Sequence, residues 1–145
     1  MKKEKKKRLS RHDTYLSAIA MWAEELGYKV EHIAIPEEKE KVDLILRNPK
    51  NNRKAYVEIE ITYQQQKQHT DKIKRRWELI QQDRNKGEDS VFLWIGVKKR
   101  DLISQAIRAK IENPEDEYGK TLFSCLSYSD QNEVRIALLR CLGDE

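Results

Sequence analysis

Between residues 42 and 62 the chain alternates apolar and polar residues in two stretches separated by turn-forming residues. Val42-Asp43-Leu44-Ile45-Leu46-Arg47 comes first, then Asn48-Pro49-Lys50-Asn51-Asn52-Arg53-Lys54, then Ala55-Tyr56-Val57-Glu58-Ile59-Glu60-Ile61-Thr62. A period of two is that of a half-buried strand, and the Asn/Pro segment supplies turn chemistry, so the pattern predicts a β-hairpin. Burial selects its register. Leu44 opposite Ile59 sets Val42 across from Ile61 and Leu46 across from Val57, with every apolar side chain on one face. The other face then carries Asp43 opposite Glu60, Ile45 opposite Glu58 and Arg47 opposite Tyr56, and the turn centre falls between Asn51 and Asn52. A slip of one residue would mix the faces.

That register gathers three carboxylates. Asp43 has Glu60 directly across and Glu58 diagonally across, within about 8 Å. Like charges so placed destabilise a sheet, and at least one pKa must rise unless a cation sits among them. Mg²⁺ suits the conflict, because it takes oxygen ligands and commonly uses one or two carboxylates plus substrate phosphate. Alternating acids on the wet face of a strand are common. What distinguishes this set is Asp43, an acid in an otherwise apolar strand beneath helices expected to cover the sheet.

The rest of the chain predicts alternating helices and strands. Ser10 and Asp13 form a capping-box pattern ahead of Tyr15, Ile19, Trp22 and Leu26 at helical spacing, and Gly27 is placed as a left-handed cap. Residues 28–35 read as a strand ended by Pro36. A second helix is expected from about Thr70 to Asn85, with Ile73, Trp77 and Ile80 as its apolar stripe and Gly87 as its stop. Residues 91–97 form an unbroken apolar run, as in a strand covered on both faces. Asp101 is placed to cap a third helix ended by Asn113-Pro114, and residues 122–128 suggest a short strand. Residues 130–142 fit a last helix better than the strand that Val134, Ile136 and Leu138 would also allow.

At 145 residues, 37% charged and 38% hydrophobic, the chain suits one folded domain over residues 10–145. Residues 1–9 hold Lys2, Lys3, Lys5, Lys6, Lys7 and Arg8 against Glu4, a run that repels itself and is expected to be disordered. Such a tail serves equally as a phosphate contact or as a solubilising segment. Cys125 and Cys141 lack zinc-site spacing. No apolar run approaches the roughly 20 residues of a membrane span and no signal-type segment follows the basic start, so a cytoplasmic, reduced protein is the expectation.

In its order of elements and its acids the sequence resembles the PD-(D/E)xK nuclease superfamily, over residues 10–98. Val42-Asp43 stands in the place of the Pro-Asp dipeptide, and Glu58-Ile59-Glu60 in the place of (D/E)-x-K, a Glu-x-Glu variant. The resemblance implies a restriction-endonuclease-like α/β fold, an αβββαβ core with a mixed central sheet flanked by helices. It implies hydrolysis of DNA phosphodiesters with Mg²⁺ or Mn²⁺, in which Asp43, Glu58 and the Ile59 carbonyl hold the metal. Glu60, standing where the motif has Lys, would accept a proton from water or hold a second ion, and Lys67 or Lys72 would replace the missing lysine. An acid of the first helix often joins such sites, and Glu25 is better placed than Glu24. Many members act as dimers, so a homodimer is a further expectation, as is a nucleoid location if the chain binds DNA. A fainter similarity to plasmid and mobile-element replication proteins carrying Glu-x-Glu favours DNA over RNA.

Lys74, Arg75 and Arg76, beside Lys72, follow the acidic strand and could grip DNA backbone, although a solvated helix face explains them nearly as well. His12 projects on the apolar side, where a histidine is more often packed than a ligand. Tyr63, Gln64, Gln65 and Gln66 would lie at the site edge, or simply link strand to helix. The altered motif also admits a different class of function, a non-catalytic DNA-binding or regulatory module on the same fold, or a protein-interaction subunit.

Overall fold

A computed structural model describes residues 11–33, 42–60, 66–96, 99–111, 123–127 and 131–142. The basic tail, the Ser10 cap, Pro36, Ile61 to Gln65, Asn113-Pro114, Leu122 and Asp130 lie outside these residues. The elements run α1 (Arg11–Glu25), β1 (Lys29–Ile33), β2 (Leu44–Arg47), β3 (Lys54–Glu60), α2 (Gln66–Asn85), β4 (Ser90–Gly96), α3 (Lys99–Arg108), β5 (Phe123–Ser127) and α4 (Gln131–Leu142). The five strands form one open sheet in the order β1-β2-β3-β4-β5. β1, β2 and β3 pair antiparallel, whereas β3, β4 and β5 pair parallel. The protein is therefore α/β, with a mixed sheet between two helical layers.

The hydrophobic patterning explains the layers. α1 and α4 lay Leu16, Ile19, Ala23, Val134, Ala137 and Leu138 over Leu44, Leu46, Val57, Ile59, Leu93 and Ile95 on one face of the sheet. α2 and α3 lay Ile73, Ile80, Leu102 and Ala106 over Tyr56, Phe92, Trp94 and Cys125 on the other. β4 is buried along its whole length, as its unbroken apolar run requires. Burying each such Leu, Ile or Phe contributes about 1.5–3 kcal/mol. Gly27, at φ +90, ends α1: Tyr28 N–H returns to the Ala23 carbonyl at 3.0 Å, a left-handed cap that other residues adopt only with strain. Gly96 serves close approach instead, since a Cβ there would meet Leu102 Cδ1 at 2.9 Å.

The hairpin keeps the expected faces but not the expected partners. Leu44 faces Val57, Ile45 faces Tyr56, Leu46 faces Ala55 and Arg47 faces Lys54, two residues away from the pairing that burial alone suggested. A shift of two preserves the side each residue faces, so burial could not discriminate between the two registers. The turn decides it. Asn48 N–H donates to the Arg53 carbonyl at 2.9 Å, leaving Pro49, Lys50, Asn51 and Asn52 as the loop. Asn52 takes φ 62, and the Asn48 side chain accepts from Lys50 N–H at 2.9 Å. The other register would have set Pro49 in the ladder opposite Lys54, where proline has no N–H to give. β2 also starts later than expected: the chain bends at Asp43, and Val42 turns to pack with Tyr56, Phe92 and Trp94 instead of following Leu44.

α2 begins at Gln66, four residues before the expected Thr70 cap, because Gln, Lys and Gln are themselves good helix formers. Its sheet-facing line is not wholly apolar. Ile73 and Ile80 are interleaved with buried Arg76 and Asp83, while Trp77 is only half-buried. Each buried charge meets a polar residue of β3. The Tyr56 hydroxyl donates to Asp83, and Lys54 Nζ lies 3.2 Å from the same carboxylate. Burial and the bond to Asp83 push the Tyr56 hydroxyl up to about 12. At the other end of β3, Arg76 faces Glu58. α3 starts at Lys99, so Asp101 lies within it rather than capping it, and residues 131–142 are helical.

Candidate active site

β3 and β4 run parallel and end together at Glu60 and Gly96, the edge of an α/β sheet where ligands characteristically bind. Continuing the β2–β3 ladder by one residue sets Asp43 across from Glu58, not from Glu60. The bend at Asp43 makes the contact intimate. Asp43 N–H donates to Glu58 Oε2 at 3.3 Å, and Ile59 N–H donates to Asp43 Oδ2 at 2.8 Å. The Asp43 carboxylate thus takes a ladder position that a backbone carbonyl of β2 would otherwise fill. In an antiparallel pair a residue's C=O leaves on the same side as its N–H, so the Ile59 carbonyl is directed to the Asp43 side of β3.

Glu60, two residues further along the same face of β3, is drawn into the cluster by Lys72. The Lys72 ammonium lies 2.9 Å from Glu58 Oε1 and 2.7 Å from Glu60 Oε1, and 5.7 Å above the centre of the Trp94 ring. Arg76, one helical turn on, brings Nε to 3.5 Å from Glu58 Oε2. The i, i+4 spacing of Lys72 and Arg76 puts both cations on one flank of α2, aligned with the acids of β3. Glu58 is almost completely enclosed, its side chain 2% exposed. Burial, then the neighbouring Asp43, pushes its carboxyl above the usual range, while Lys72 and Arg76 oppose that. Burial alone would lower the Lys72 amine, but Glu58 and Glu60 outweigh it and hold it cationic.

His12 enters from the first turn of α1. Its Nε2 lies 3.0 Å from Asp43 Oδ2 and its Nδ1 3.4 Å from Asp13 Oδ1. The bond to Asp43, against a smaller opposing effect of burial, raises the imidazole from 6.5 to about 9. A group raised on folding stabilises the protein fully below its unfolded pKa and loses that contribution as pH rises through the folded value. Thermal stability should therefore decline between pH 6.5 and about 9, and His12→Asn should flatten this slope. Melting curves across that range check it: an unchanged slope in the variant would remove His12 from the cluster.

The other residues singled out in the sequence lie elsewhere. Glu25 is exposed at the far end of α1, thirteen residues from His12 and so about 20 Å along the helix; the helix carries it away from the carboxylates. Lys67 is in the first turn of α2, with its side chain outside the described part, as are Tyr63, Gln64 and Gln65. Lys74 and Arg75 are exposed on the outer side of α2, whereas Arg76 is buried and therefore braces Glu58 instead of meeting solvent. Sequence reasoning missed this role of Arg76 and the bond of His12 to Asp43. The only signal for the first was the match between the i, i+4 cations and the alternate acids of β3.

Among the described residues no three His, Cys, Asp or Glu side chains are grouped so as to hold a metal ion by themselves, and no helix is long and apolar enough to cross a membrane. The oxygens brought to this end of β3 are those of the Asp43 and Glu58 carboxylates, linked through Asp43 N–H and Ile59 N–H, and, by the strand geometry, that of the Ile59 carbonyl. They are hard oxygens of the kind Mg²⁺ accepts when water and phosphate complete its shell. Burial first, and the Asp43 charge second, push the Glu58 carboxyl up, and a dication at this place would oppose both. Compared with family models, with curated proteins and with solved structures, the chain matches none of them.

Proposed function

We propose that this protein is a metal-dependent DNA endonuclease of the PD-(D/E)xK type, with a restriction-endonuclease-like core. One observation carries the reading: Asp43 and Glu58 meet at the end of the β2–β3 ladder with a lysine ammonium, that of Lys72, against Glu58. An acid pair beside a lysine, at the carboxyl edge of the sheet, is what the (D/E)-x-K motif supplies, with Lys72 of α2 standing in for the motif lysine. The element order and the antiparallel-then-parallel pairing agree with the core it implies.

Asp43, Glu58 and the Ile59 carbonyl would hold Mg²⁺ or Mn²⁺, which when bound supplies Lewis-acid polarisation of the scissile phosphate. The chain's own residues do the rest. Lys72 is placed to steady developing charge on the phosphate or to orient the attacking water, because it is held cationic by its two carboxylates. Arg76 and His12 fix Glu58 and Asp43 in place from α2 and α1. Lys74 and Arg75, exposed on α2, are the candidates for phosphate contacts away from the reacting group.

Purified protein incubated with supercoiled, linear and branched DNA and Mg²⁺ or Mn²⁺ tests the reading. Cleavage is expected with at least one substrate, dependent on the metal and lost in Asp43→Ala and Glu58→Ala. Salt-sensitive DNA binding that survives Asp43→Ala, with no hydrolysis by the wild type, would instead support a non-catalytic DNA-binding module.

A further inference from the structure

We propose that Glu60 is a positioning residue, which anchors the Lys72 ammonium beside Glu58 so that the two together replace a lysine at position 60. The inference rests on the nuclease reading and deepens it. It reassigns the residue that the motif comparison suggested as a proton acceptor or ligand of a second ion.

Three observations lead to it. First, the shorter of the two Lys72 contacts is to Glu60, 2.7 Å against 2.9 Å to Glu58, and both carboxylates are nearly enclosed, at 6% and 2% exposure. Second, the observed register moves Glu60 away from Asp43. Glu58 lies across from Asp43, and Glu60 is two residues on, about 6.6 Å further along the strand. Glu60 is therefore set back from the donors grouped around Asp43. Third, a lysine carried on a helix needs holding. Its four-carbon stem is flexible and rich in rotamers, so a single carboxylate would leave the ammonium free to swing. Glu58 and Glu60 grip it from two sides over the Trp94 ring. An ammonium has three N–H donors; two serve the carboxylates, and the third suits a water or phosphate oxygen.

A merely structural ion pair and a second metal ligand predict different outcomes from an anchor. The experiment measures metal-dependent DNA cleavage and, separately, Mn²⁺ affinity by calorimetry for the wild type, Glu60→Gln, Lys72→Glu and the charge swap Glu60→Lys/Lys72→Glu, each checked for folding by circular dichroism. As an anchor, Glu60→Gln should lower kcat by about 10–100-fold, the usual effect of losing a supporting partner, with Mn²⁺ affinity changed less than about twofold. Lys72→Glu should lose activity by about 10²-fold or more. The charge swap restores the pair with the ammonium on β3, and should recover most of that loss. A fall in Mn²⁺ affinity of about tenfold or more in Glu60→Gln would make Glu60 a ligand and overturn the inference. A charge swap as inactive as Lys72→Glu alone would overturn it too. If the wild type cleaves no DNA, the nuclease reading fails and this inference with it; cleavage combined with either of the other two results leaves that reading standing and removes only the anchor.

Discussion

Glu58→Gln should reduce metal-dependent DNA cleavage by about 10²–10³-fold or more, the scale on which one preorganised electrostatic group acts in a water-excluded site. The substitution keeps the shape of the side chain and can still accept from Asp43 N–H, so the protein should fold. What it removes is the negative charge shared between Asp43 and the metal. Glu58 is the member of the cluster best suited to this test, because it touches most of the others: Asp43 N–H, Lys72 and Arg76 all converge on its two oxygens. Without the carboxylate, Lys72 and Arg76 face an amide, and their positive charge discourages a cation from the same place. Mn²⁺ affinity should fall along with kcat. Equal cleavage by the wild type and Glu58→Gln, at matched folded concentration, would remove Glu58 from the chemistry and leave the cluster as a structural ion network.

Lys72→Met should be strongly destabilising, by about 3 kcal/mol at neutral pH, the lower end for breaking a buried ion pair because the lysine is partly exposed. For a chain of this length that lowers the melting temperature by about 10 °C. The reason is asymmetric. Methionine fills the space of the lysine stem over Trp94, but it leaves Glu58 and Glu60 facing each other, with Arg76 near Glu58. The Glu58 carboxyl, already pushed up by burial and by Asp43, would then lose the opposing charge of Lys72 and rise further. Stability linked to a raised carboxyl is present at low pH and lost as pH rises through the folded value. The deficit against wild type should therefore be large at pH 7 and shrink as pH falls below about 5, where unfolded carboxylates also protonate. Denaturant melts at the two pH values measure it. A deficit that does not change with pH would mean that packing of the stem, and not charge, is what Lys72 contributes.

The faces of the sheet were legible in the sequence because alternation is a strong constraint: Leu44, Leu46, Val57 and Ile59 had to share a side. The pairing within a face was not, since registers two residues apart satisfy burial equally, and the choice fell to Pro49 and the left-handed Asn52. That shift changed where the two glutamates stand relative to Asp43, bringing Glu58 across from it and setting Glu60 back beside Lys72. The bend that turns Val42 to the opposite face had no signal in an alternating stretch. Lys72 could be named in advance as a stand-in for the motif lysine because it follows the acidic strand closely. Arg76 could not be separated from Lys74 and Arg75, since a run of basic residues on a helix reads as solvated. Only the packing of α2 on β3 distinguishes the one that is buried. His12 lies on the expected side of α1, but its partner Asp43 is separated by 31 positions, a distance over which local patterning carries no information.

The claim on which everything else depends is that Asp43 and Glu58 share one divalent cation. Crystals soaked in Mn²⁺ and measured at its absorption edge test it most directly. The expected result is one anomalous peak in contact with an oxygen of Asp43, an oxygen of Glu58 and the Ile59 carbonyl, at the short distances of about 2.1 Å typical of a small divalent ion. Strong peaks elsewhere on the molecule with none between these residues, and Lys72 still seated between Glu58 and Glu60, would contradict it.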